Sequence, residues 1–489
     1  MSDKVASWNN WLNDRRGGML TWFALITPAL VSVAALAIDI GRIYALENDL
    51  QLAADSYARA AAFELDRQPD AIARASQAAN DLLHNDQRFG QGGSSDVTVA
   101  NLRFLKDIPS SDTADITSDF DTSVSADARY VEITVSPKTI STLLPTDMVS
   151  GVLSIELEAK AVAGASRGVC NMAPMFVCNP VEDTGGNLFA LGKTRSFQRR
   201  QVLLLEKGNG KDSTYFPGNF GYLEVGGSGA SDLKDAMSLA KPNNCVSQDG
   251  VELRTGAVAS VVDGFNTRFD IYEGSYKKES NNPAYAPAEN VTRGVSGKAC
   301  KESADPNAMG LPRDACHLTG TCTDADGRLG DGDWDFPTYL EVNHGAPVSV
   351  TINGTNFTIN YATRKVSPEL PSRYEVYRWE IETNRIPGSV GYGASTTPEN
   401  GEPACYSGGT AAGVDRRVVR VAVLDCLALD EQYGINGSSA PPLPAKAFWQ
   451  FFITEPIGST SDMQIWGEMI GPVTNETDEL AVETARVVR

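Results

Sequence analysis

The chain has 489 residues, 42% of them hydrophobic and 21% charged, a composition that excludes intrinsic disorder and supports an extensive buried core. Its 62 acidic residues against 42 basic ones give a formal net charge of −20, which excludes the concentrated cationic surface that nucleic-acid binding requires. Length alone allows about three domains.

The first predicted element is a membrane span. Met19 to Ile38 carry no charge, and a helix of that length crosses the roughly 30 Å hydrocarbon core of a bilayer. Lys4, Arg15 and Arg16 precede it, whereas Arg42 follows in the company of Glu47, Asp49 and Asp55. The basic bias therefore holds residues 1–18 in the cytoplasm and places the bulk of the chain beyond the inner membrane, periplasmic or extracellular. Ala35-Leu36-Ala37 has the small-x-small form that a signal peptidase cuts. The apolar run is longer than a signal's h-region, however, and the helical pattern continues past that point, so a retained anchor is the preferred reading.

Beyond the span, Ile43, Leu46, Leu50, Ala53, Tyr57 and Ala60 recur at alternating spacings of three and four, which predicts one long helix with an apolar seam ending near Asp66. Small residues crowd Ala53 to Ala62 and would let a second helix approach closely. The seam suits a partner's helix or, equally, the chain's own domain. Asp70 to Leu83 reads as a second helix with Asp70 as N-cap and Ile72, Ala75, Ala79 and Leu82 on one face. A Gly/Ser-rich break at 90–96 leads to strands starting at Val97, Arg129 and Leu153, so 67–168 is expected to form a small α+β domain.

Residues 169–489 read as a β-rich domain, with room for two subdomains. Asn353-Gly354 lies between alternating segments at 348–361, a hairpin signal. Further strands are expected from Tyr374, Arg416, Ala447 and Asp462. Cys170, Cys178, Cys245, Cys300, Cys316, Cys322, Cys405 and Cys426 all lie on the exported side and imply up to four disulfides. Cys170/Cys178 and Cys316/Cys322 are the plausible local pairs.

No motif predicts a catalytic centre. Gly186 to Thr194 imitates a phosphate loop but has one residue too many between its glycines. Asp121-Thr-Ser-Val-Ser125 has the D-x-S-x-S form of adhesion metal sites without the preceding buried strand. Asp324, Asp326, Asp331, Asp333 and Asp335 crowd five carboxylates into twelve residues and form a weak calcium candidate, because Phe336 and Val342 replace the glycine and glutamate of an EF-hand. Cys316, His317 and Cys322 suit a disulfide better than zinc. His84 and His344 have no partners discernible in the sequence. Neither a small-molecule substrate nor any other cofactor is indicated.

The N-terminal stretch nevertheless carries a family pattern: Arg16-Gly17-Gly18, Phe23 to Leu25, Pro28, Ala37, Asp39, Gly41 and Leu50 to Asp55 at fixed spacing. It resembles the TadG-like and TadE-like proteins of the tight-adherence (Flp pilus) assembly system. Weaker likeness to long TadG-like members extends to the stretches beginning at Tyr215, Asn266, Asp331, Arg373 and Ile453. Processed TadE-like pseudopilins are cut after a glycine with glutamate five residues on, whereas Trp22 and Phe23 stand at those places here, so the segment is expected to persist. The resemblance implies a non-catalytic accessory protein of pilus assembly, with a pilin-like helix that packs on other pilus-assembly or pilin-like proteins. The alternative is a membrane-anchored periplasmic or surface binding protein that uses the helix as a tether.

Overall fold

The computed structural model describes residues 18–81, 86–87, 95–109, 111, 114–143, 154–206, 215–224, 230–242, 244–254, 261–294, 309–388, 401–410, 414–435, 441–458, 463–474 and 481–488. Expectations at Leu82, Leu83, His84, Cys300 and most of the Gly/Ser-rich break fall outside them. The architecture is mixed α and β: an N-terminal long apolar helix, a small sheet, and a large β-rich region with helices. The chain divides into two compact units, Met1–Ala165 with Thr484–Arg489, and Ser166–Glu483.

The first unit is organised by helix α1 (Gly18–Phe63), rich in the alanine and leucine that favour helix. Pro28 lies inside it and removes one backbone donor; four residues on, the Ser32 hydroxyl donates to the Pro28 carbonyl at 2.8 Å. After Phe63 the chain turns, with Arg67 in the left-handed region at φ 65°, into helix α2 (Ala71–Asp81). Arg74 of α2 closes this turn by pairing with Glu64, with Asp66 at 2.6 Å and with Asp70 at 3.3 Å. Strands β1 (Val99–Leu105), β2 (Tyr130–Val135) and β3 (Lys160–Cys170) are consecutive antiparallel neighbours, and the strand Ala481–Val487 also pairs with β3. A separate hairpin joins Lys138–Ser141 to Ser154–Leu157.

The second unit contains a closed six-stranded barrel. Its strands are β4 (Met175–Cys178), β5 (Gln201–Glu206), β6 (Asn219–Leu223), β7 (Val418–Leu424), β8 (Ala447–Ile453) and β9 (Gln464–Pro472), in the ring order β6-β4-β7-β8-β9-β5. Parallel pairing of β5 with β6 closes the ring. Alternate residues of all six strands, including Val177, Val202, Phe220, Val421, Trp449 and Ile465, meet in one buried cluster, as the period-two direction of strand side chains requires. Gly192 is seated where an added Cβ would lie 2.3 Å from the Trp449 ring, so the close approach there demands glycine.

The hairpin at 348–361 forms as Ser349–Ile352 and Thr355–Asn360, with Asn353 and Gly354 both at positive φ. Two strand expectations are corrected. The stretch from Tyr374 is a helix, Arg373–Glu382, because Ser372 and Glu375 form a reciprocal capping box and Val376, Tyr377, Trp379 and Glu380 share a buried face. The run from Arg416 is strand only to Leu424; Asp425 then opens a helix, Cys426–Tyr433.

Among the described residues there are three disulfides. Cys316–Cys322 closes a local loop. Cys170 and Cys178 do not bond each other: Cys170 faces Cys245 directly across a strand pair, with Cα atoms 3.9 Å apart, and Cys178 at the end of β4 meets Cys426. Strand pairing sets the first pair and places Cys178 beside Leu424, two residues before Cys426, which sequence proximity could not indicate. With Cys316 and Cys322 bonded to each other, their thiolates cannot also ligate zinc.

Arg373 organises the loop side of the barrel. Its guanidinium, fully buried, donates to Asp314 at 2.5 Å, to Glu468 of β9 at 2.8 Å, and to the carbonyls of Pro312 and Arg199 at 2.6 and 3.0 Å. Asp314 also accepts from the Gln201 and Gly332 amides, and Glu468 from the Arg373 and Tyr374 amides. Burial disfavours the charge on Arg373, yet Asp314 and Glu468 more than offset it and its pKa is raised. Arg373→Met would leave two buried carboxylates uncompensated, so it is expected to destabilise this unit by about 3–5 kcal/mol. Chemical denaturation followed by tryptophan fluorescence measures this; a loss under about 1 kcal/mol would contradict the assignment.

Candidate functional site

The N-terminal helix is the region in which sequence pattern and structure coincide, and its two halves differ. Trp22, Phe23, Leu25, Leu30, Val31, Leu36 and Ile38 are exposed, although each is strongly apolar. Among the described residues, Trp22–Phe63 is the one helix long and apolar enough to cross a membrane. An apolar face of this extent left bare implies lipid or another helix around it.

At the end of the exposed stretch sits Asp39, a nearly fully buried carboxylate. Both its oxygens accept from the Leu143 amide, at 2.9 and 2.8 Å, and Arg42 lies 3.5 Å away. Arg42 in turn donates to the Ser141 carbonyl at 3.2 Å. One turn of helix thus fastens the loop leaving the Lys138–Ser141 strand. Asp39 belongs to the family pattern, but its partner is about a hundred residues away, as the sequence separation of 104 records, and no local signal announces it.

From Ile43 onward the seam turns inward. Leu46, Leu50, Ala53 and Tyr57 are buried in one cluster with Val131, Ile133 and Val135 of β2 and Ala161 and Ala163 of β3, and Ile43 packs at its edge. Ala60 is half-buried. Tyr57 also donates its hydroxyl to the Val97 carbonyl at 2.5 Å. The apolar face expected to meet a partner helix is therefore covered by the chain's own sheet. The close approach expected from the small residues is realised within the chain as well, since Ala54, Ala58, Ala61 and Ala62 share the cluster with Ala75 and Ala79 of α2. What α1 leaves outside in this half is a different line: Tyr44 (67% exposed), Leu52 (57%) and Phe63, with Gln51 and Arg59 beside them.

Three of the five carboxylates of the acidic loop are engaged with separate partners. Asp324 pairs with Arg200, Asp331 accepts from the Asp333 amide at 3.0 Å, and Asp335 caps the helix Phe336–His344 through the Thr338 amide and hydroxyl. Asp326 sits in the loop at φ 54°. Partial desolvation, then Asp331 and Asp314, push the Asp333 carboxyl up. Among the described residues no group of three or more His, Cys, Asp or Glu is placed to hold a metal ion. The Asp121 loop is similarly committed, with Asp121 on Arg103 at 2.7 Å and Ser125 on the Pro69 carbonyl. The pseudo-phosphate loop folds into two short helices capped by Asn187 and Thr194.

A constellation that the sequence did not reveal surrounds His344, whose ring bonds Glu380 at 2.7 Å. Glu380 also accepts from Tyr339 at 2.6 Å and from Asn290 at 2.6 Å. These four residues are all buried, so the cluster fastens helices together and offers no access to a substrate.

Residues 17–66 match the family described as putative Flp pilus-assembly TadE/G-like. The matched segment is α1 and the turn after it, about a tenth of the chain, and it supports a part in Flp pilus assembly. No curated protein and no solved structure matches the chain.

The burial of the seam yields a paired prediction. Leu50→Asp places a charge in the core of the first unit and is expected to cost about 3–5 kcal/mol, whereas Leu52→Asp, two residues away on the open face, should cost less than about 1 kcal/mol. Thermal unfolding of the two variants in detergent tests the contrast; equal destabilisation would refute this assignment of faces.

Proposed function

We propose that the protein is a bitopic inner-membrane accessory component of Flp pilus assembly that works through helix packing and protein contacts and not through catalysis. The family match over 17–66 carries this reading, because it falls on a helix whose first half is bare and apolar and whose second half is built into a folded unit. In this reading residues 1–18 are cytoplasmic, 19–38 cross the membrane, and the α+β and β-rich parts lie on the far side. The partner is a pilin-like helix or another pilus-assembly protein. It meets the exposed line through Tyr44 and Leu52 and the bare spanning surface, since the 43–60 seam is already occupied.

A second reading has one observation in its favour. Because the chain's own sheet fills the seam, the helix also suits a tether that holds a periplasmic or surface binding domain at the membrane. Replacing only residues 19–38 with an unrelated spanning segment separates the two. Under the pilus reading, crosslinking to pilus components and pilus production are expected to fall at least about ten-fold although the protein still integrates in the membrane. Full retention of both would leave the tether reading standing.

A further inference from the structure

The second unit contains a cavity of about 540 Å³ whose charged lining is entirely basic, in a protein of net charge −20. Arg268, Arg416, Arg420 and Lys241 line it, and among the described residues no acidic side chain does. Arg268 is 2% exposed, and its Nε is buried with no hydrogen-bond partner among the described residues. Its Nη1 reaches the Phe265 carbonyl only at 3.4 Å, and the group lies over the Phe265 ring.

Arg416 beside it is buried too, held by the carbonyls of Ala286 at 2.7 Å and Ser238 and by the Thr267 hydroxyl at 3.2 Å. Burial and the neighbouring charge of Arg416 push Arg268 well below the ordinary arginine range, and burial brings Arg416 down to about 10. Two guanidinium groups in a low-dielectric wall repel each other, and an oxyanion between them would relieve that repulsion and accept the vacant donor. Apart from Asn171 the remaining lining is apolar, formed in part by Leu239, Pro242 and Val418, and the cavity far exceeds a lone inorganic ion.

We propose that this cavity binds an organic oxyanion, a carboxylate or phosphate monoester attached to an apolar body, with its charged end on Arg268 and its body against Leu239, Pro242 and Val418. The site is independent of the pilus reading and stands or falls without it. Isothermal titration calorimetry of the full chain in detergent, with N-acetylleucine and with hexyl phosphate, is the test. At least one is expected to bind saturably and at least about ten-fold more tightly than the neutral N-acetylleucine methylamide. Whichever binds identifies the headgroup.

Arg268→Met should abolish the binding. Because that change lies in the core, Lys241→Glu at the exposed rim provides the second variant, with binding expected to weaken about five-fold and the unfolding temperature to stay unchanged. Absence of saturable binding by both anions, equal binding of the neutral amide, or indifference to Lys241→Glu would each overturn the proposal.

Discussion

One buried cation sets the terms for the larger unit. Arg373 is enclosed with Asp314 and Glu468, and removing three charges from water costs more than their attraction returns unless every lone pair and N–H is also satisfied. Here they are satisfied by main-chain groups from separate parts of the chain: Arg199, Gln201, Pro312, Gly332 and Tyr374. The network therefore favours a cooperative arrangement, since a partial assembly would hold unpaired charge in an apolar setting. It also explains why Arg373 opens a helix: the Ser372/Glu375 capping box fixes the backbone just where the guanidinium must be delivered.

Other parts of this unit that are remote in sequence are joined by buried polar groups in the same way. Asn266 exchanges two hydrogen bonds with the backbone of Ile457, so the stretch from Asn266 and the stretch from Ile453 are one junction. Trp334 of the acidic loop donates to the Pro371 carbonyl and lies under Arg373, joining two more. Asp270 accepts from the amides of Ala404, Cys405 and Tyr406 and fixes a further loop. Each is a buried side chain whose polar group is satisfied by distant backbone, so none looks like an active site in sequence.

What could be read from the residues alone was local. Uncharged length marked the helix from Met19, three-and-four spacing marked the seam from Ile43, and Asn353-Gly354 marked the hairpin. The alternation at Tyr374 misled because a helix that buries Arg373 and Glu380 among aromatics has no clean apolar stripe; its capping box was the better signal. The seam's occupant, the partner of Asp39, the pairings of Cys170 and Cys178 and the company of Arg268 all depend on contacts between residues remote in sequence. Periodicity gives the direction of a face; it does not say what the face meets.

The strand Ala481–Val487 pairs with β3, while the unit it joins otherwise ends at Ala165. In terms of connectivity, the barrel-bearing unit, Ser166–Glu483, lies in sequence between the two parts of the smaller unit that carries the helix. In terms of synthesis, the anchor-bearing unit begins first and is finished last, because it waits for more than three hundred intervening residues, 166–483, before its sheet is complete. The helix that opens the chain thus packs on a sheet whose last strand is the last part of the chain to be made, since Ala485 and Val487 lie against the same cluster as Leu46 and Leu50.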